Sequence, residues 1–167
     1  LPVGTLNKTG AGALDLGSTA NTYAGKTSVT LGTIMIGSET ALGTAPGAPA
    51  ADHLTLNGGT LQTTGTSDLN KYFVYVAANS TIDTAAATTL TLSSTLSDAL
   101  SGSTGVLTKT GAGTLVLTGG NSGFLGGFHV NAGTLSISGG GNLGSGNLVL
   151  GGGSLLTTAS LNLANAL

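Results

Sequence analysis

Apolar and polar residues alternate in short runs along this chain, and the runs return at a fixed step. Leu115-Val116-Leu117, Leu135-Ser136-Ile137 and Leu155-Leu156-Thr157 each follow a small-residue lead-in that begins at Gly113, Gly133 or Gly153. The step from Leu115 to Leu135 equals the step from Leu135 to Leu155. A period of two marks a strand whose side chains point to opposite sides. A fixed step of this size marks a repeat architecture. A second extended piece comes before the later two runs: Phe128-His129-Val130, then Leu148-Val149-Leu150. Asn131-Ala132 and Gly151-Gly152 form the corners between. Glycine-rich turns on the far side each carry one apolar residue, Phe124, Leu143 or Leu163. The unit therefore reads as one coil with three short sides. Leu115, Leu117, Leu135, Ile137 and Leu155 are expected to fill its interior. Coils of about 20–24 residues would stack in parallel, and parallel connections are right-handed. The expected fold is all-β: a right-handed, single-stranded parallel β-helix, or β-solenoid.

The same pattern occurs earlier. Gly4 to Leu14 matches Gly105 to Leu115 at a constant offset of 101 residues. Gly32-Thr33-Ile34-Met35-Ile36 answers Gly133 to Ile137. The first copy spans residues 4–64, bridging coils span 65–104 and the second copy spans 105–167, all within one domain, 1–167. The first copy carries an insertion at 44–53, which replaces Ser145-Gly146-Asn147 and adds seven residues. Its two prolines bar it from a central strand, so it is expected to bulge from a corner as a spacer. In the bridge, Tyr72 to Val76 is the most strand-like run, and Ala77 to Ser80 reads as a turn. The aromatic residues there are expected in or half in the core.

Leu107-Thr108-Lys109-Thr110-Gly111-Ala112-Gly113-Thr114-Leu115 resembles the autotransporter-associated β-strand repeat of bacterial type V secretion passengers. Asn121, Phe124, Gly126 and Val130 to Leu135 continue the likeness, and Leu6 to Ile36 repeats it. Ile82-Asp83-Thr84, Leu90-Thr91-Leu92 and Leu100-Ser101-Gly102 resemble the usual lead-in. The resemblance implies a right-handed β-helix on the bacterial surface, exported through a C-terminal outer-membrane barrel. No barrel-like strands precede Ala166-Leu167. The repeat marks a scaffold and transfers no catalytic residue.

Composition narrows the chemistry. Charged residues make up 6% of the chain and glycine contributes 30 positions, while mean hydropathy is +0.37. Disordered chains are charged and weakly apolar, so the glycines read as turns. There is no cysteine and no arginine, and the net charge is −2. Nucleic-acid binding needs a basic patch, and none is encoded. No apolar run is long enough to span a membrane. Leu1-Pro2-Val3 lacks the basic start and apolar core of a signal peptide, so the chain reads as a mature product or a piece of something longer.

Enzymes on this scaffold need paired carboxylates, or a carboxylate with a basic partner. The acids Asp15, Glu39, Asp52, Asp68, Asp83 and Asp98 are sparse, and only a stack of Asp68, Asp83 and Asp98 on one face would gather them. Calcium-binding nonapeptides need an aspartate that Gly139 to Asn147 lacks. His53 and His129 stand alone, with His129 expected to point outward. Asn142 and Asn162, with Asn121 nearly in register, suggest an asparagine ladder that fixes a turn.

No catalytic, cofactor or metal residue is assigned, and the chain is not expected to be an enzyme. The expected role is structural: a stalk or adhesin shaft, extracellular or on the bacterial cell surface. Its expected partners are neighbouring β-helix segments, or copies of itself stacked end to end into a filament through uncapped ends at Leu1 and Leu167. Outward rows such as Thr114, Thr134 and Ser154 offer a further alternative, a face for host or matrix glycans or for ice.

Overall fold

Alternation becomes strand here because each inward residue meets an inward residue one coil above and one coil below. The computed structural model describes residues 4–98 and 104–165. Its strands in chain order begin with β1 (Leu6–Lys8), β2 (Ala13–Asp15), β3 (Thr27–Val29), β4 (Thr33–Ile36), β5 (Ala50–Asn57) and β6 (Thr60–Thr63). Next come β7 (Ser67–Asp68), β8 (Tyr72–Ala78), β9 (Ser80–Thr84), β10 (Thr89–Leu92) and β11 (Leu96–Asp98). The second copy holds β12 (Leu107–Thr110), β13 (Thr114–Leu117), β14 (Phe128–Val130), β15 (Thr134–Ile137), β16 (Leu148–Leu150) and β17 (Ser154–Thr157).

These strands form three sheets, one on each face of the coil. The first face is β1-β3-β5-β8-β11, the second is β2-β4-β6-β9-β12-β14-β16, and the third is β7-β10-β13-β15-β17. Every strand pair among the described residues is parallel. The chain is a parallel β-solenoid of about 7 turns. On the third face, Leu90, Leu115, Leu135 and Leu155 stand in register, and Leu92, Leu117 and Ile137 form a second inward row. Most of these are fully buried, and Leu155 is half-buried against the core. Each such side chain contributes roughly 1.5–3 kcal/mol by leaving water. Phe124 and Phe128 meet edge to face at 5.1 Å between ring centres.

Coil length is less uniform than the sequence suggests. Thr33 pairs with Ala13 on one side and with Thr60 on the other. The step to Thr60 is the longer of the two, by the same seven residues that the 44–53 insertion adds. The step from Thr81 to its partner Thr108 is equally long.

The insertion is no simple bulge. Its prolines lie outside the sheet, but Ala50 to His53 form the first half of β5, and Ala50 pairs with Tyr72. The register slips between Ala50 and Leu54, and Asp52 takes up the slip at a φ of 51°. In the bridge, the expected Ala77–Ser80 turn contracts to a corner at Asn79 between β8 and β9. Tyr72, Val74 and Val76 point inward, whereas Phe73 and Tyr75 are half-buried on the outside. The expectations for the ends at Leu1 and Leu167, and for Leu100 to Gly102, lie outside the described residues.

The two copies do not occupy the same faces. β1 and β2 lie on the first and second faces, but their counterparts β12 and β13 lie on the second and third. The bridging coils have a strand on every face, so the offset between the copies amounts to four coils plus one side. The irregular third side moves with the repeat. In the second copy it lies over the first face, where Asp98 N–H donates to Gly123 O at 3.2 Å. A 3-10 turn sits on this side in each copy, at Glu39–Leu42 and Gly140–Leu143.

Candidate functional site

Lys8 and Lys109 occupy inward positions that an apolar residue would normally fill. Lys8 ends β1 and Lys109 is the last residue but one of β12, each beside a glycine-rich corner. Lys109 is 0% exposed. Its Nζ donates to the carbonyls of Thr110, of Gly111 (2.8 Å) and of Ala132 (3.3 Å) one coil on. Lys8 Nζ donates to Gly10 O and, at 3.1 Å, to Leu31 O. Both ammonium groups thus gather carbonyls that the corner would otherwise leave unpaired in a dry interior. Burial pushes the Lys109 ammonium down to about 8, against the favourable charge of Asp83. The next coil must pass close over this corner. Gly133 has a φ of 65°, and a Cβ there would run into the carbonyl oxygens of Gly111 and Gly113. Sequence reading missed the lysines, although the signal was present: Leu6 and Lys8, like Leu107 and Lys109, share one side of an alternating strand.

The acids are not brought together. Asp68 lies on the third face, Asp83 on the second and Asp98 on the first. They are evenly spaced, but each step spans only two of the three sides of a coil, so it ends one side short of a full circuit. Each serves its own neighbourhood. Asp68 Oδ1 accepts from Ser93 Oγ at 2.6 Å, and Asp83 Oδ2 accepts from Thr110 Oγ1 at 3.0 Å. Asp98 Oδ2 accepts from Leu125 N–H at 3.0 Å. Burial raises the Asp98 pKa, against the backbone hydrogen bonds from Leu125 and Gly126. Among the described residues, no group of three or more His, Asp or Glu side chains lies close enough to hold a metal ion.

The asparagines also differ from a side-chain ladder. Asn121 is fully buried, accepts from Leu96 N–H at 2.7 Å and donates to Asn142 O at 2.6 Å. Asn142 donates to Gly119 O at 2.8 Å and accepts from Gly139 N–H at 2.7 Å. The amides therefore bind backbone and not one another. Asn162 is exposed, whereas Asn165 is buried and donates to Gly146 O at 2.6 Å. Asn162 does not extend the series, because an amide must point inward to meet the backbone of the neighbouring coil.

Two hydroxyl rows run along the outside. Thr89, Thr114, Thr134 and Ser154 are in register on the third face. Thr33, Thr60, Thr81 and Thr108 are in register on the second. His129 continues the second row, half-buried and outward. His53 is different. It is only 7% exposed, and its ring lies 5.1 Å from that of Tyr72. Among the described residues its Nε2 has no hydrogen-bond partner.

The family described as passenger-associated-transport-repeat matches residues 6–36 and 107–137. The chain carries two passenger-associated-transport-repeats. Each repeat holds its buried lysine, its glycine corner and two pairs of strands, and the two repeats sit one face apart. The adhesin BmaC autotransporter of Brucella suis biovar 1 (strain 1330) is 39% identical over 118 residues. That similarity covers 71% of this chain and 3% of the relative, so the chain spans a small fraction of the curated protein it matches. No solved structure matches. Between the two repeats lie the insertion, with His53, and the Tyr72 strand.

Proposed function

We propose that this chain is a length of shaft in a cell-surface or secreted passenger β-helix, with a mechanical and non-enzymatic role. The observation that carries this reading is the seven-strand parallel second face, which runs through both repeats and the bridge without a break. Each coil satisfies its backbone on its neighbours, which makes a stiff rod with few openings for proteases. The matched repeats and the similarity to a protein named as an autotransporter adhesin support a location outside the cell. The neighbours of this length are further β-helix coils.

Electron microscopy of the purified chain over a range of concentrations tests the reading. Single rods of roughly 34 Å are expected, from seven coils at about 4.8 Å, together with resistance to proteinase K. Long uniform fibres would replace it with the filament-subunit reading. Particles that are neither rod nor fibre would overturn both. Antibody labelling of intact cells of the source bacterium checks the location, and signal only after permeabilisation would reject it.

The two hydroxyl rows favour a second, finer role. Hydroxyls repeating about every 4.8 Å on a flat face suit the regularly spaced hydroxyls of a host or matrix glycan. Loss of glycan-array binding in a Thr60→Lys, Thr81→Lys double variant would support that role. An array with no binding by the unmodified chain would end it.

A further inference from the structure

Both ends of the 44–53 insertion converge on one residue. Tyr72 Oη donates to Gly43 O at 3.3 Å, just before the insertion begins. At the far end, the Tyr72 ring packs against His53 and its backbone pairs with Ala50. Tyr72 is 1% exposed. Thr44 N–H donates to Tyr23 O at 2.8 Å and Ala45 packs against the core, so the loosely held part of the segment begins at Pro46. Pro46 and Pro49 have no backbone N–H to give to the sheet. Ala50 N–H donates to Lys71 O at a long 3.3 Å. Asp52 sits in the left-handed region, and its carboxylate reaches Lys26 at 2.6 Å across a half-exposed surface. Such exposed ion pairs contribute little.

His53 is therefore the main weight on the clamp, and it is a group that titrates. Its Nε2 is shut away from water and, among the described residues, has nothing to donate to, so a proton added there would be a buried, unpaired charge. The groups around it offer little relief. Lys26, from the corner before β3, repels a proton on His53, while Asp52 on its own strand attracts one. Burial is the largest of these influences, and the net effect lowers the His53 pKa. Tyr72 stays a neutral phenol, pushed up to about 12 by burial and then by Glu39 and Tyr23. Lys71 points to solvent.

We propose that residues 46–53 form an acid-released flap, clamped on Tyr72 at neutral pH and freed from the rod when His53 takes up a proton. A folded pKa below the unfolded value means that docking is favoured above about 6.5 and fails as pH falls through the folded value. The solenoid beneath keeps its ladders, because β5 from Leu54 onward pairs with β3 and β8 without the flap.

Amide hydrogen exchange of the intact chain at neutral and acid pH, corrected for intrinsic exchange, tests this. The expected result is a loss of protection across 48–53 at acid pH, with 27–36 and 60–63 unchanged. His53→Phe keeps a neutral ring against Tyr72, so its flap should stay protected at both pH values. Flap protection that does not change in the unmodified chain, or that falls equally in His53→Phe, would overturn the proposal. So would loss over the whole chain. If His53→Phe does not fold, the imidazole titration of the unmodified chain decides by NMR. A His53 pKa at or above that of a free histidine would overturn the proposal, and one below it would support it.

Discussion

Lys8 and Lys109 stand 101 residues apart and on different faces of the rod, yet each turns inward and spends its ammonium on the carbonyls of a glycine corner. The two sites share their chemistry because they share a sequence context, Lys-Thr-Gly-Ala-Gly, and not because they share a neighbourhood. The lysine is thus part of how the repeat turns a corner. Without a cation or an amide there, the corner carbonyls would face an apolar interior.

Replacing that cation should be costly. Lys109→Met keeps the length of the side chain and removes its donors, leaving the carbonyls of Thr110, Gly111 and Ala132 to lose their partner. The expected loss is about 2 kcal/mol or more, read from urea unfolding at neutral pH. Equal stability would mean that the corner finds other donors.

The same lysine predicts an alkaline effect. Its folded pKa of about 8 lies below the ordinary lysine value of 10.5. Between those values the unfolded chain binds more protons, so stability should rise with pH across that window. Tyr72, held up to about 12, opposes this only above the usual tyrosine range near 10. Urea midpoints measured from about pH 7.5 to 9.5 should therefore increase, and should flatten in Lys109→Met. A fall with pH in the unmodified chain would contradict the assignment.

Asn121 and Asn162 should separate cleanly. Asn121→Ala leaves the Leu96 N–H and the Asn142 carbonyl unpaired in the interior, a loss of about 2–3 kcal/mol. Asn162 is exposed, so Asn162→Ala should change stability by less than about 0.5 kcal/mol. Thermal melts of the pair check this.

Further substitutions probe the coil-on-coil contact, each read by urea unfolding. Gly133→Ala combines a positive φ with a collision against the corner below, and should cost more than about 2 kcal/mol. Gly120→Ala, in open space, should be near neutral. In contrast, Thr84→Val should stabilise by about 1 kcal/mol, because its buried hydroxyl has no partner among the described residues.

The sequence was most readable where the step was shortest. Leu115, Leu135 and Leu155 recur at an even step and meet as neighbours, because there one coil is one period. Reading failed where the period drifted. The even spacing of Asp68, Asp83 and Asp98 left a stack on one face open, but it samples all three faces, because the local coil is longer than that spacing. Asn162 had the right spacing and the wrong orientation, which only the course of the last turn decides. The His53–Tyr72 contact was not legible either. It depends on a slip of register inside β5, and no local pattern of residues encodes where a neighbouring strand will be.

The shift of the second repeat by one face has a consequence for any longer protein built this way. A motif that returns after whole coils would line up all its loops along one edge, like teeth on a comb. Here the bridging coils advance the motif by one side, about a third of a revolution, so its loop side points in a new compass direction. Bridges of different length between repeats would then act as angular spacers. They would distribute loops around the circumference as leaves are set around a stem, so that one shaft could meet partners on more than one side without any change in the repeat itself.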